Sequence, residues 1–174
     1  MPTFQQTIDA DPSKFMTYGA TVLKTAGSVT ALAAKYGQEV GGLATSWQGD
    51  DYNGLLRWAG EVAGFTARVD VALLTVGATL EAMGASMTAT VQTLKLTKQA
   101  AEGAGYKVLP TPFVILGPSQ WSQVSSAGPG APAVLAAYQA GAIAFTTALT
   151  AQYIALIAQD VAASSVMRTA ISIG

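Results

Sequence analysis

The sequence predicts an all-α fold: a long antiparallel helical hairpin with a third long C-terminal helix packed on it, together an elongated bundle. Three observations carry that prediction. Apolar residues recur every seven positions over two long segments, a short turn-forming run around Trp47 and Gly49 separates those segments, and nowhere do apolar and polar residues alternate as in a half-buried strand.

The first helical segment covers 13–46. Phe15, Val22, Val29, Tyr36 and Leu43 are spaced by seven, with Tyr18 and Leu32 on interleaved positions. Such spacing lays an apolar stripe along a helix that packs lengthwise on another. Ser13, after Asp11 and Pro12, is the expected N-cap. At ~1.5 Å per residue the helix is roughly 50 Å long. Gly19, Gly27, Gly37, Gly41 and Gly42 lower its intrinsic propensity, so tertiary contact has to hold it.

Residues 47–52 form the turn. Gly49 can take a positive φ, and Asp50 and Asp51 are placed to cap the next helix and face its positive N-terminal dipole. The alternative, a weak cation site on the two carboxylates, is disfavoured by their place after a glycine at a helix start. The second helix covers 53–102, with Leu55, Val62, Val69, Val76 and Met83 spaced by seven, and Leu73, Leu80, Met87 and Leu94 likewise. Two heptad helices joined by a short turn make an antiparallel hairpin, and Val22, Val29, Leu73 and Leu80 are expected inside it.

After Lys107 the composition shifts. Residues 108–159 contain no Asp, Glu, Lys or Arg, whereas 1–107 carry eight bases and nine acids. The stretch 108–130 reads as a Pro/Gly-rich connector: Leu109-Pro110-Thr111-Pro112 stops any helix, Phe113 to Leu116 are expected to fold back as a cover on the hairpin, and Pro118 to start a short helix through Trp121. The third helix covers 131–172. Apolar side chains lie nearly all round it, which implies burial in protein or lipid, and Leu135, Tyr138, Phe145, Leu149, Tyr153 and Leu156 are its expected contact residues.

The whole, 1–174, suits a single helical domain. Only 11% of residues are charged and 51% are hydrophobic, too apolar for disorder and sparse in charge for a soluble monomer. A partner or further copies of the chain would cover the excess apolar surface. A net charge of −1 gives no electrostatic basis for nucleic-acid binding. The chain has no Cys and no His, which excludes thiol nucleophiles, Cys or His metal ligands and Ser-His-Asp triads. Glu61 and Asp70 are nine apart on one helix and do not converge. No enzyme, cofactor or metal is expected. Gly37-x-x-x-Gly41 and Gly60-x-x-x-Gly64 occur beside Glu39, Arg57 and Glu61, so close approach within the hairpin is expected of them rather than membrane pairing.

Trp47-x-Gly49 falls at the turn between the heptad helices. In that position it resembles the defining W-x-G of the WXG100-like group of type VII secretion substrates, which includes the larger proline-proline-glutamate (PPE) proteins. The likeness covers roughly 13–102, and a fainter one lies in Tyr153 followed by Ala158-Gln159-Asp160-Val161-Ala162-Ala163, similar to a run late in PPE domains. The resemblance implies that Trp47 and Gly49 shape a hairpin tip that is also a recognition surface for secretion. The chain departs from the family in two ways: it has no Pro-Pro-Glu near its start, and none of Tyr18, Tyr36, Tyr52, Tyr106, Tyr138 or Tyr153 is followed four residues later by an acid. In PPE pairs a smaller partner supplies that export signal, so its absence favours an obligate partner.

The leading expectation is therefore a secreted, non-enzymatic interaction protein of the type VII class. Its partners would be a helical-hairpin protein, copies of itself, or a secretion ATPase or chaperone. A second reading makes it the export-targeting N-terminal domain of a larger effector or toxin, which the abrupt end on Ile171-Ser172-Ile173-Gly174 favours. A third takes the uncharged 131–159 segment into membranes as a pore-forming or membrane-active helix. The first fifteen residues have acids where a signal peptide has a basic start, and no apolar run follows. Secretion or surface display would then use a route without a cleaved Sec signal peptide.

Overall fold

The structure, a computed structural model, describes residues 3–171. In chain order these form α1 (Phe4–Ile8), α2 (Ser13–Gly42), a 3-10 turn (Leu43–Thr45), α3 (Asp50–Gly103), strands β1 (Tyr106–Val108) and β2 (Val114–Leu116), α4 (Pro118–Ser126), a second 3-10 turn (Gly128–Gly130) and α5 (Ala131–Ile171). The fold is all-α apart from that one small β-hairpin. The three long helices lie where heptads and composition place them, with ends shifted by a few residues. Ser13 is the first residue of α2 rather than the residue before it.

By their internal contacts the residues group into two compact units, one made of Met1–Pro12 and Ala85–Val161, the other of Ser13–Gly84 and Ala162–Gly174. In the second unit α2 and the first part of α3 run antiparallel. Met16 lies against Gly84 and Leu23 against Gly77, the Thr30 hydroxyl donates to Asp70 Oδ1 at 2.9 Å, and Tyr36 meets Trp58 edge-on at 6.0 Å. The seam consists of small residues. Gly19 and Ala26, seven apart on α2, and Gly77 and Gly84, seven apart on α3, are all buried. A Cβ on Gly19 would come within 2.7 Å of the Gly77 carbonyl oxygen, so the two backbones need glycine here.

This corrects the reading of the glycines: Gly37, Gly41, Gly60 and Gly64 have open space where a Cβ would stand and mediate no close approach. It also alters the expected burial. Leu80 is buried, but Val22, Val29 and Leu73 are half-buried, because they flank a narrow seam instead of filling a wide one. Leu73→Ala should therefore destabilise by less than the ~2–5 kcal/mol of a fully buried leucine, as read by urea unfolding.

In the first unit a core cluster joins Phe4 and Ile8 of α1, Val91, Leu94 and Ala101 of α3, Val114 of β2, and Ala142, Leu149 and Leu156 of α5. Helix α1 exists because Thr3 caps it: the Thr3 hydroxyl accepts from Gln6 N–H at 3.2 Å and Gln6 Oε1 accepts from Thr3 N–H at 2.8 Å. Phe4 and Ile8, one turn apart, then point into the core, and Phe4 meets Tyr153 edge-on at 5.9 Å. The second part of α3 and α5 run antiparallel with a polar ladder between them. Gln152 Nε2 donates to Thr97 Oγ1 at 3.0 Å, and Gln159 Nε2 to Ser86 Oγ at 2.8 Å and Thr90 Oγ1 at 3.3 Å. Both glutamines and both threonines are seven residues apart, so the ladder fixes the helix register.

The β-hairpin was not expected from the sequence. It pairs Tyr106 with Leu116, Lys107 with Ile115 and Val108 with Val114, and Leu109 N–H donates to the Phe113 carbonyl at 2.9 Å across the Pro-Thr-Pro turn. Residues 113–116 do fold back as a cover, but onto α5, where Val114 N–H donates to Thr146 Oγ1 at 3.0 Å. The Tyr106 hydroxyl donates to the Tyr138 carbonyl at 3.2 Å and lies directly over Gly141. Gln120, 2% exposed, ties the base of the hairpin: its Oε1 accepts from Gly117 N–H at 2.9 Å and its Nε2 donates to the Ala104 carbonyl at 3.0 Å.

Candidate interaction surface

Helix α2 ends in the 3-10 turn, and the Trp47 N–H donates to the Leu43 carbonyl at 2.8 Å. That bond holds Trp47 in the connection to α3, with 44% of its surface exposed. Gly49 adopts φ 111°, a left-handed conformation that residues with a Cβ avoid, and its carbonyl accepts from Asn53 N–H at 3.1 Å to begin α3. Asp50 and Asp51 are the first two residues of α3, one and two positions further in than a capping residue, where their charges face the positive end of the helix dipole.

Behind the turn the hairpin carries a cleft of about 400 Å³ lined by small and apolar residues, among them Ala33, Tyr36, Ala59 and Ala63. The Tyr36 hydroxyl is buried and has no hydrogen-bond partner among the described residues. A buried, unpartnered hydroxyl costs on the order of 1–3 kcal/mol, which a partner supplying an acceptor would recover. Leu32 and Trp58 nearby on the two helices are 69% and 55% exposed.

The third-helix residues expected to meet another chain are placed differently. Leu149 and Leu156 are buried in the first unit's own core. Phe145 and Tyr153 pack against that core, Phe145 edge-on to Tyr106 at 5.5 Å. Leu135 and Tyr138 are half-buried, and the Tyr138 hydroxyl donates to Gln123 Oε1. A charge at Phe145 would thus break the unit itself and report nothing about assembly. The large apolar residues of α5 that do face outward include Ile143, Ile154, Val161 and Val166.

The sequence reading also missed a second apolar surface, around the β-hairpin. Phe113, Ile115, Trp121 and Ile143 edge one open cleft of about 570 Å³. The available signal was a pair of β-branched and aromatic runs bracketed by Gly105 and Gly117. Two helices, Asp50–Gly103 and Gly128–Ala170, contain stretches long and apolar enough to cross a membrane by length and composition. The chain matches no family model, no curated protein and no solved structure.

Proposed function

We propose that the chain is a secreted helical interaction protein of the type VII class, acting through protein–protein binding at the W-x-G end of its hairpin and without catalysis of its own. The observation that carries this is Trp47, nearly half exposed in a turn that Gly49 shapes, at the same place in a heptad hairpin as the family motif. The unpartnered Tyr36 hydroxyl and the exposed Leu32 and Trp58 support a partner-facing role for this end of the second unit. Large exposed aromatic residues grouped at one end of a helix pair are the usual anchors of protein interfaces.

Trp47→Ala is the test. Its helix content in circular dichroism should match the parent, because the side chain supports little packing. In a host with an active type VII system, export should fall about tenfold or more, the loss expected when an aromatic anchor is truncated. Export that persists unchanged in a strain lacking the type VII ATPase would refute the secretion route. Global unfolding of Trp47→Ala would assign the residue to the core instead.

A further inference from the structure

From Gly103 to Gln159 the chain carries a single charged side chain, Lys107. This segment supplies the β-hairpin, α4 and most of α5, all in the first unit. Cross-strand pairing sets Ile115 directly opposite Lys107, so the two share one face of the hairpin. The opposite face, with Val114 buried and Tyr106, Val108 and Leu116 half-buried, packs on the core. Phe113 stands two residues before Ile115 on the outer face, 59% exposed, with Ile115 at 43%, Trp121 at 52% and Ile143 at 66%. These four side chains border the same cleft, whose polar side chains are Gln139, Thr146 and Thr147. Thr146 is already occupied by Val114 N–H.

Two features decide what such a surface meets. A protein interface has an apolar centre inside a polar, charged rim that sets orientation. Here the margin of the cleft is polar, with Gln139 and Thr147 exposed, but 103–159 gives it no charge other than Lys107. Aromatic and branched aliphatic residues without acids, beside one lysine, also match the headgroup boundary of a bilayer, where Trp settles and Lys reaches phosphate. Deeper insertion is disfavoured, because a two-stranded hairpin has unpaired backbone edges and hydrocarbon cannot satisfy them.

We infer that this face of the first unit docks on a phospholipid bilayer surface. Phe113, Ile115, Trp121 and Ile143 enter the headgroup–acyl boundary, and Lys107 contacts lipid phosphate. The chain lies on the membrane and does not span it.

The experiment uses the full chain with Trp47→Phe and Trp58→Phe, which leaves Trp121 as its reporter, and phosphatidylcholine vesicles with or without phosphatidylglycerol. The protein should float with both kinds of vesicle, and Trp121 emission should shift to the blue and be quenched by lipids brominated near the headgroup. Phe113→Glu with Ile115→Glu should lower partitioning tenfold or more at unchanged helix content. Lys107→Gln should weaken binding only to the phosphatidylglycerol vesicles, by about fivefold. Trp121 that is not quenched overturns the inference, and this readout needs no hairpin variant to fold. So does a lipid-free dimer that the double glutamate variant dissociates, which would assign the face to a second copy.

Discussion

Leu149→Ala is expected to lower the free energy of unfolding by ~2–5 kcal/mol, the range for truncating a fully enclosed leucine. Leu149 of α5 and Leu94 of α3 both have 0% exposure and belong to one cluster that α1 and β2 complete. Leu94→Ala should act with similar size. Urea unfolding followed by circular dichroism at two protein concentrations makes the distinction. A loss that depends on concentration would return Leu149 to an interface between chains, whereas a concentration-independent loss places its packing within one chain.

The second large effect is at the glycine seam. Gly19→Val should destabilise the second unit by ~1–3 kcal/mol or more, since overpacking here cannot be relieved by a rotamer change. The obstructing atoms are the Gly77 carbonyl oxygen and the Glu81 backbone nitrogen, at 2.7 and 2.9 Å from the position of a new Cβ. Gly60→Ala is the internal contrast. It lies within α3 with nothing near its Cβ position, so alanine should add ~0.4–1 kcal/mol by restricting the unfolded chain. If both substitutions moved the unfolding midpoint in the same direction, the assignment of the seam to Gly19 and Gly77 would fail.

The pattern of what the sequence revealed follows from which signals are long-range. Seven-residue spacing over α3 located a helix whose heptad positions, from Leu55 through Leu94, are all buried or half-buried. On α2 the same rule was only half informative. Tyr18 and Leu32 sit on the interleaved stripe yet are 62% and 69% exposed, because Gly19 and Ala26 form the contact line and small residues leave no trace in a hydrophobic pattern. Helix α1 has five residues, too few for any period, and its evidence was the Thr3–Gln6 capping pair. The strands have three residues each, and the prolines between them were read as stopping a helix when they form the hairpin turn. On α5 apolar residues on every side concealed which face turns inward, so the sequence did not separate the buried Leu149 and Leu156 from the exposed Ile154. The turn at Trp47 and Gly49 was legible because a tryptophan, a glycine and two aspartates interrupt the heptads together.

The composition of the first unit has a consequence for biosynthesis. Phe4 and Ile8 complete a core whose other members include Leu149 and Leu156. Translation proceeds at ~5–20 residues per second, so the first helix leaves the ribosome roughly seven to thirty seconds before Leu149 and Leu156 do. Through that interval the second unit's hairpin can close, because its heptads lie within residues already made, while Phe4 and Ile8 remain unburied. The nascent chain therefore presents its amino-terminal apolar pair to chaperones before it presents a finished fold. A substitution at Phe4 should accordingly reduce yield during synthesis, when that exposure lasts longest.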